Sequence, residues 1–518
     1  MFFGCLSLLF FKAYINDIGE AGDCNSESGC SVSDFLIQNE HYSSVFIQCN
    51  TIMYEDFSMI IDKISQNDEE FEITGNRTIV KAQNNKVLQI QNLSVKIIDF
   101  VLESVCISCI NSSLSLERIQ FCSDSVIDVP RIESFESSVL LKDIYIYFNK
   151  NPILAFDETT AFISNLSIID CSTSKSFFGF HKSNISIQGI NMDRSNSYNI
   201  GIIRQSSLYV IDSEFKNIYS ESPMFLIENS SFISSSVRYS SILSDSEVSI
   251  AHVENSNKII FSECSFSSIV NRRINSFCFS FIKSVSIRFE SIQMTLSLCS
   301  FLLLHDSTSI ITSSSFMNNT VLHRGKPYFG IIEASLNSKL SIDSTIFSKN
   351  YYPLCQIHIV GSIVEVFGSL FIDNTQTIGG VLDCINSVCN IRLTTIVNNS
   401  SKYLYGSLYS SKSSVIIENS DIENNYSPTS HSLFIHNSSL LTIIDLYHHE
   451  FKSPIYASDH GTVIKSESKI PSLIIMNGAI LITDFQFNFL YIAVLVLLVI
   501  FIFYRARYGS RFRNRYSK

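Results

Sequence analysis

The chain has no tryptophan, only 8 prolines and 18 glycines in 518 residues, and only 16% of it is charged. So little proline and glycine excludes a collagen-like or low-complexity chain, and so little charge beside 46% hydrophobic residues excludes a largely disordered one. Positive charge is rare until the end, where Arg505, Arg507, Arg511, Arg513, Arg515 and Lys518 follow one another without an acid. The net charge of -11 therefore leaves about -17 for everything before them, a balance that excludes nucleic acid as a partner. What the chain has in quantity is 40 Phe with abundant Ile, Ser and Asn, a composition of short aromatic and β-branched strands separated by polar turns.

Two apolar stretches stand apart. Phe485 to Tyr504 carries no charge. At 1.5 Å per residue it matches a hydrocarbon core of about 30 Å, and the cations after it follow the positive-inside rule. The opening MFFGCLSLLFFKAY has an apolar core of signal-peptide length. The expected organisation is a signal peptide over 1–15, a cap region over 16–86, a β-helix over 87–484, a membrane helix over 485–504 and a basic inner tail over 505–518. This is a type I plasma-membrane topology. DFSMIIDKI (Asp56 to Ile64) reads as an amphipathic helix suited to plugging the first coil.

A strand-like core recurs along the middle of the chain, anchored at Leu114, Val139, Phe162, Ile185, Leu208, Phe232, Ile259, Val285, Ile310, Leu340, Ile363, Cys389, Val415 and Leu440. Each anchor opens an alternating run such as SLYVIDSEF or KLSIDSTIF, and a second short strand follows, as in FGII, CQIHI, GVLDCI and SLFI. Coils this short leave no room for a helix, so the fold class is all-β, a right-handed parallel β-helix with one C-terminal transmembrane helix. Leucine-rich repeats share the period, but Ile, Phe and Ser stand where they need leucine. A sharper mark is Phe-x-x-Asn or its aliphatic form: Phe316 and Asn319, Phe347 and Asn350, Phe371 and Asn374, Ile396 and Asn399, Ile422 and Asn425. Stacked at about 4.8 Å per coil, these residues would form an inner apolar column and an asparagine ladder.

These units resemble the polymorphic membrane protein repeat family, surface β-helices whose units join Phe-x-x-Asn to Gly-Gly-Ala/Ile/Val. FIDNTQTIGGVLDC (Phe371 to Cys384) carries both halves, and YFGIIEA and YGSLYSS keep a degraded glycine half. The resemblance runs from about Ser309 to Asp445. Bacterial members end in an outer-membrane barrel, whereas this chain ends in one helix, as in similar surface families of unicellular eukaryotes. The resemblance implies a surface protein.

For chemistry the sequence offers little. Cys24, Cys30 and Cys49 are the expected disulfide formers, and the CxxC of Cys106 and Cys109 with Cys122 lacks the second half of a zinc site. Asn-x-Ser/Thr glycosylation acceptors stand at Asn76, Asn92, Asn111, Asn165, Asn184, Asn229, Asn318, Asn398, Asn399, Asn425 and Asn437. Asp459-His460-Gly461 reads as a polar turn, His448-His449-Glu450 as a solvent loop, and Asp373 and Asp383 as solvated carboxylates. No catalytic, cofactor or metal residues are assigned. The expectation is therefore a non-enzymatic surface protein for adhesion or recognition, partnered by the membrane and by cell-surface or host glycans or proteins, with no cofactor. Its alternative is a membrane-anchored, pectate-lyase-like enzyme acting on polysaccharide.

Overall fold

The computed structural model describes residues 11–15, 31–37, 42–64, 71–122, 130–273, 276–321, 330–403, 406–428, 433–444, 455–466, 473–475, 479–483, 494 and 496–500. The chain divides into a first unit, Met1–Ile332, and a second, Glu333–Lys518. Both are built from the coils of an all-β parallel β-helix, about 16 turns in total. In each unit a strand pairs in parallel with the strand one turn on. Val139, Ala161, Ile185, Leu208, Phe232 and Ile259 are successive partners in the first unit, and Leu340, Val364, Cys389, Val415, Leu441 and Val463 in the second.

Each turn passes through up to three strand faces. Face A holds strands such as Leu154–Asp157 and Leu382–Ile385, face B Asn184–Gln188 and Val388–Arg392, and face C Glu214–Ser220 and Thr395–Val397. Inward residues alternate with outward ones, so every coil places its Ile, Leu, Val and Phe in the interior. In the first unit this interior becomes a run of rings, Phe261, Phe279, Phe289, Phe301 and Phe316, with successive centroids 4.7–5.2 Å apart. Helix Tyr54–Ile64 buries Phe57, Ile60, Ile61 and Ile64 at the start of the coils, Phe57 lying 5.3 Å from Phe100.

With glycine so scarce, the corners are turned mostly by other residues in the left-handed region, among them Asn111, Asn229, Asp306, Asn386, Asn398 and Asn437, but also Lys182 and Leu393. Asn and Asp tolerate that conformation best. A side-chain ladder supports one set of corners. Ser183, Ser206, Ser230, Ser256, Ser284 and Ser307 each follow a corner, and each backbone N–H of the first five donates to the next serine's Oγ at 3.0–3.2 Å. Ser362, Ser387, Ser413 and Ser439 repeat this in the second unit.

The structure corrects two details of the sequence reading. Phe162, Val285, Ile310, Ile363 and Leu440 are exposed, and Ala161, Ile287, Ile311, Val364 and Leu441 take the inward places. At Phe162, Ile310, Ile363 and Leu440 an apolar neighbour stands one place away, and with a side-chain period of two a one-residue slip exchanges the faces, whereas Val285 precedes the corner at Ser286 and the strand begins at Ile287. The second detail is serine, which in the sequence stands out only as a turn-forming residue and in the structure lines buried ladders. Residues 494 and 496–500 are helical, and among the described residues no helix is long and apolar enough to cross a membrane. Most of 485–504, all of 505–518, and Cys24 and Cys30 lie outside the described residues.

Candidate functional site

In the second unit, face A carries an outward column that the glycine-bearing segments position. The strands Ile332–Ser335, Ile357–Val360, Leu382–Ile385, Leu408–Ser411, Leu433–His436 and Ile455–Ala457 turn their apolar residues inward. Their outward middle positions are Glu333, His358, Asp383, Tyr409, Phe434 and Tyr456, with His358, Asp383, Tyr409, Phe434 and Tyr456 direct partners from turn to turn. The imidazole therefore lies between two carboxylates. Glu333 Oε2 is 3.9 Å from His358 Nδ1, and neither atom has a hydrogen-bond partner although both are buried. Buried polar atoms left without partners are uncommon in folded proteins and call for an explanation, such as a ligand or a water.

Asp383 is covered. The backbone of Gly379 and Gly380 crosses directly over it: a Cβ on Gly379 would stand 2.5 Å from Asp383 Oδ2, and one on Gly380 would stand 2.7 Å from the Ser407 carbonyl. Only glycine fits there, which gives the Gly-Gly half of the repeat a physical reason. Gly380 N–H donates to Asp383 Oδ1 at 3.2 Å. Burial pushes the Asp383 carboxyl up to about 7, against the opposing pull of His358 and the Gly380 N–H. The buried Cys355 thiol beside it is pushed up by burial, with Asp383 and Glu333 adding to the shift. On the other side of Asp383, Tyr409 and Phe434 stand 5.9 Å apart and Phe434 and Tyr456 4.7 Å apart, a half-buried aromatic strip.

The ladder residues are inside the coil. Asn374 Nδ2 donates to Asn399 Oδ1 at 2.9 Å and to the Phe347 carbonyl at 2.8 Å, and Asn374 Oδ1 accepts from the backbone N–H and Nδ2 of Asn350. Asn399 continues to Asn425 in the same way, while in the first unit Asn319 accepts from Ser297 N–H. Phe347 and Phe371 stack at 4.7 Å, and Phe316, Ile396 and Ile422 are buried. Asn399 and Asn425, also counted as glycosylation acceptors, are thus too deeply buried to carry a glycan in the folded coil. Asn76, Asn92, Asn111, Asn165, Asn184, Asn229, Asn318 and Asn398 are exposed and Asn437 half-buried.

Asp459 meets His436 Nδ1 at 2.9 Å, with Asp459 and His460 both in left-handed turns. Asp373 is an exposed corner, and His448 to Glu450 lie outside the described residues. A covalent link joins Cys384 to Cys389 across one corner. Cys106 and Cys109 are buried thiols pushed up by burial, and no metal-binding cluster occurs among the described residues. Reading Asp383 as a lone solvated carboxylate is therefore wrong. Glu333 and His358 were missed, although aligning IEA, IHI, LDC, LYS and LFI on their middle residues puts Glu333, His358, Asp383, Tyr409 and Phe434 in one column.

No family model matches the chain, and no curated protein matches it. Among solved structures it is similar to the periplasmic alginate epimerase AlgG at 10% identity, covering 79% of this chain and 85% of that one, with a TM-score of 0.28. It is also similar to the PL6 family alginate lyase AlyGC (7% identity, 92% and 99% coverage, TM-score 0.26) and to DFA-IIIase from Arthrobacter chlorophenolicus A6 (10% identity, 73% and 91%, TM-score 0.23). These are an epimerase, a lyase and DFA-IIIase, and the expectation of a non-enzyme is withdrawn. At TM-scores this low the likeness carries no argument about activity or substrate. What bears on that expectation in this chain itself is the column, where the carboxylates of Glu333 and Asp383 stand two turns apart with His358 between them.

Proposed function

We propose that this protein is a membrane-tethered β-helix that acts on polysaccharide outside the cell, with face A of the second unit as its working surface. The observation that carries this is His358 held between Glu333 and Asp383 on successive turns, next to an aromatic strip. Cleavage at a glycosidic bond needs a proton donor and a proton acceptor on opposite sides of the reacting centre. A carboxyl raised to about 7 still holds its proton in about half of the molecules at neutral pH, which suits Asp383, beneath its glycine cover, to pass a proton to the neighbouring His358. His358 is suited to accept, and Glu333 to orient it. Glu333 and Asp383 are two turns apart, about 10 Å along the stack, with His358 on the turn between them. Tyr409, Phe434 and Tyr456 offer the C–H face of a chain a strip to lie against.

The test is the full-length protein incubated with neutral, amino-sugar and uronate polymers. New sugar ends should appear, and Asp383→Asn should lower their release about 10²- to 10⁴-fold. Absence of new ends from every polymer, or release unchanged in D383N, would overturn the reading. The tether rests on the charge-free run 485–504 and the cations after it. A tag after Lys518 should be protected on intact cells, and a tag reached by antibody there would remove the membrane helix from the proposal.

A further inference from the structure

In the first unit, face A carries a different outward column: Ser108, Glu133, Ala155, Gly179, Ile202, Leu226 and His252. Ala155 and Gly179, small and adjacent, interrupt it and leave a trough of about 580 Å³. Gly179 is unusual among the glycines of this chain. It lies within the strand Ser176–His181, has no left-handed φ, and nothing stands within 4 Å of where its Cβ would be. A glycine inside a strand costs about 0.5–1 kcal/mol relative to alanine, and here neither backbone conformation nor close packing requires it. What it does is keep the trough open.

The walls have a definite chemistry. Phe135 offers an apolar ring that is 40% exposed. Glu133 is exposed and forms no ion pair with a described residue. Asp157 Oδ1 lies 2.8 Å from His181 Nδ1, and Arg204, the one Lys or Arg among the described lining residues, is held by Glu228 at 3.0 Å. The uncompensated charge is thus negative, in a body that is acidic already. We infer that this trough is a second saccharide site and takes an amine-bearing sugar of a glycan, its ammonium between Glu133 and Asp157 and its ring against Phe135. A polyuronate would meet like charge. This site is separate from the acid–base column and stands or falls independently of it.

The probes are a de-N-acetylated glucosamine hexamer, its N-acetylated form and oligogalacturonate, each titrated against the full-length protein by calorimetry. The free-amine hexamer should bind at least tenfold more tightly than the other two and weaken as salt rises. Gly179→Leu, which fills the trough, should lower that affinity at least tenfold while leaving the melting temperature unchanged or higher, and Glu133→Gln should lower it several-fold. Equal binding of the N-acetylated hexamer, tighter binding of oligogalacturonate, no binding at all, or full affinity in G179L would each overturn the site. Failure of D383N to affect turnover would bear only on the acid–base reading.

An independent observation concerns Cys278 and Cys299, both fully buried in the first unit with their Sγ atoms 2.9 Å apart. We propose that they form a disulfide linking neighbouring turns as the chain folds. The two thiols lose two protons and two electrons, and the electrons pass to the disulfide of a thiol oxidoreductase in the secretory compartment. Alkylation of the unfolded chain without reductant, followed by mass spectrometry, should leave both residues unmodified and joined in one peptide pair. Both residues alkylated would overturn it.

Discussion

The two units use the same coil and stabilise it differently. In the first, the interior behind face A is packed with phenylalanine rings meeting edge to face, with Phe279 in contact with Phe261, Phe289 and Phe301. In the second, aromatic packing inside is thinner among the described residues, and asparagines from successive turns bond to one another beside the Phe347–Phe371 pair. Their outward faces differ to match: an open trough with a glycine floor in the first, a roofed acid–imidazole column in the second. A repeat fixes where side chains point but leaves open which kind of cohesion fills each column.

The largest expected effect separates these two kinds of cohesion. Phe279→Ala removes a ring with at least three aromatic neighbours and should cost about 3–5 kcal/mol, loosening the strands around Phe277–Ile282 in hydrogen exchange. Protection there equal to that of the parent would mean that the rings are interchangeable filler.

Next in size is Asp383. Its carboxyl is raised by burial to about 7 in the folded chain and returns to about 3.8 on unfolding. The folded state then holds a proton that the unfolded state has released, so stability falls as pH rises from about 4 to about 7 and is flat above. Asp383→Asn should therefore raise stability by roughly 2–4 kcal/mol at pH 8, with the gain vanishing near pH 4. A gain independent of pH would show that burial of charge is not what the site stores. Stability gained as activity is lost is the usual trade at a working site.

Asn374→Leu tests the hydrogen-bonded side of the comparison. It leaves Asn350 N–H and the Phe347 carbonyl without their partner inside the coil, which should cost about 2 kcal/mol. An unchanged midpoint in denaturant would reduce the ladder to decoration.

Much of this was readable before any coordinates. The Phe-x-x-Asn phase, the paired short strands and the amphipathic helix are patterns of period and burial, and a coil repeats them often enough to be seen. The anchors at Phe162 and Ile363 slipped by one because Ala161 and Val364 beside them are apolar too. The acid–imidazole column escaped because its members come from turns about 25 residues apart and share no residue type. Glu333, His358 and Asp383 become a set only when strands are aligned on their inward neighbours. Gly-Gly was visible as a motif, but that it roofs a carboxylate depends on how Leu354, Gly379 and Asp383 meet in space.

The smallest effect belongs to the ladder that both units share and that the sequence hid best, because serine is common everywhere in this chain. Ser206 Oγ accepts from Ser183 N–H at 3.0 Å and donates to the Arg204 carbonyl at 2.7 Å, while its own N–H goes to Ser230. Ser206→Ala leaves one buried N–H unpaired and should cost about 1 kcal/mol. The same change at Ser387, which accepts from Ser362 N–H and donates to the Ile385 carbonyl, should cost the same, because the corner is built alike in both units. Equal losses at the two positions, measured by denaturant unfolding, would place the difference between the units in the core and the outer face alone. A loss confined to one unit would mean that the corners, too, have diverged.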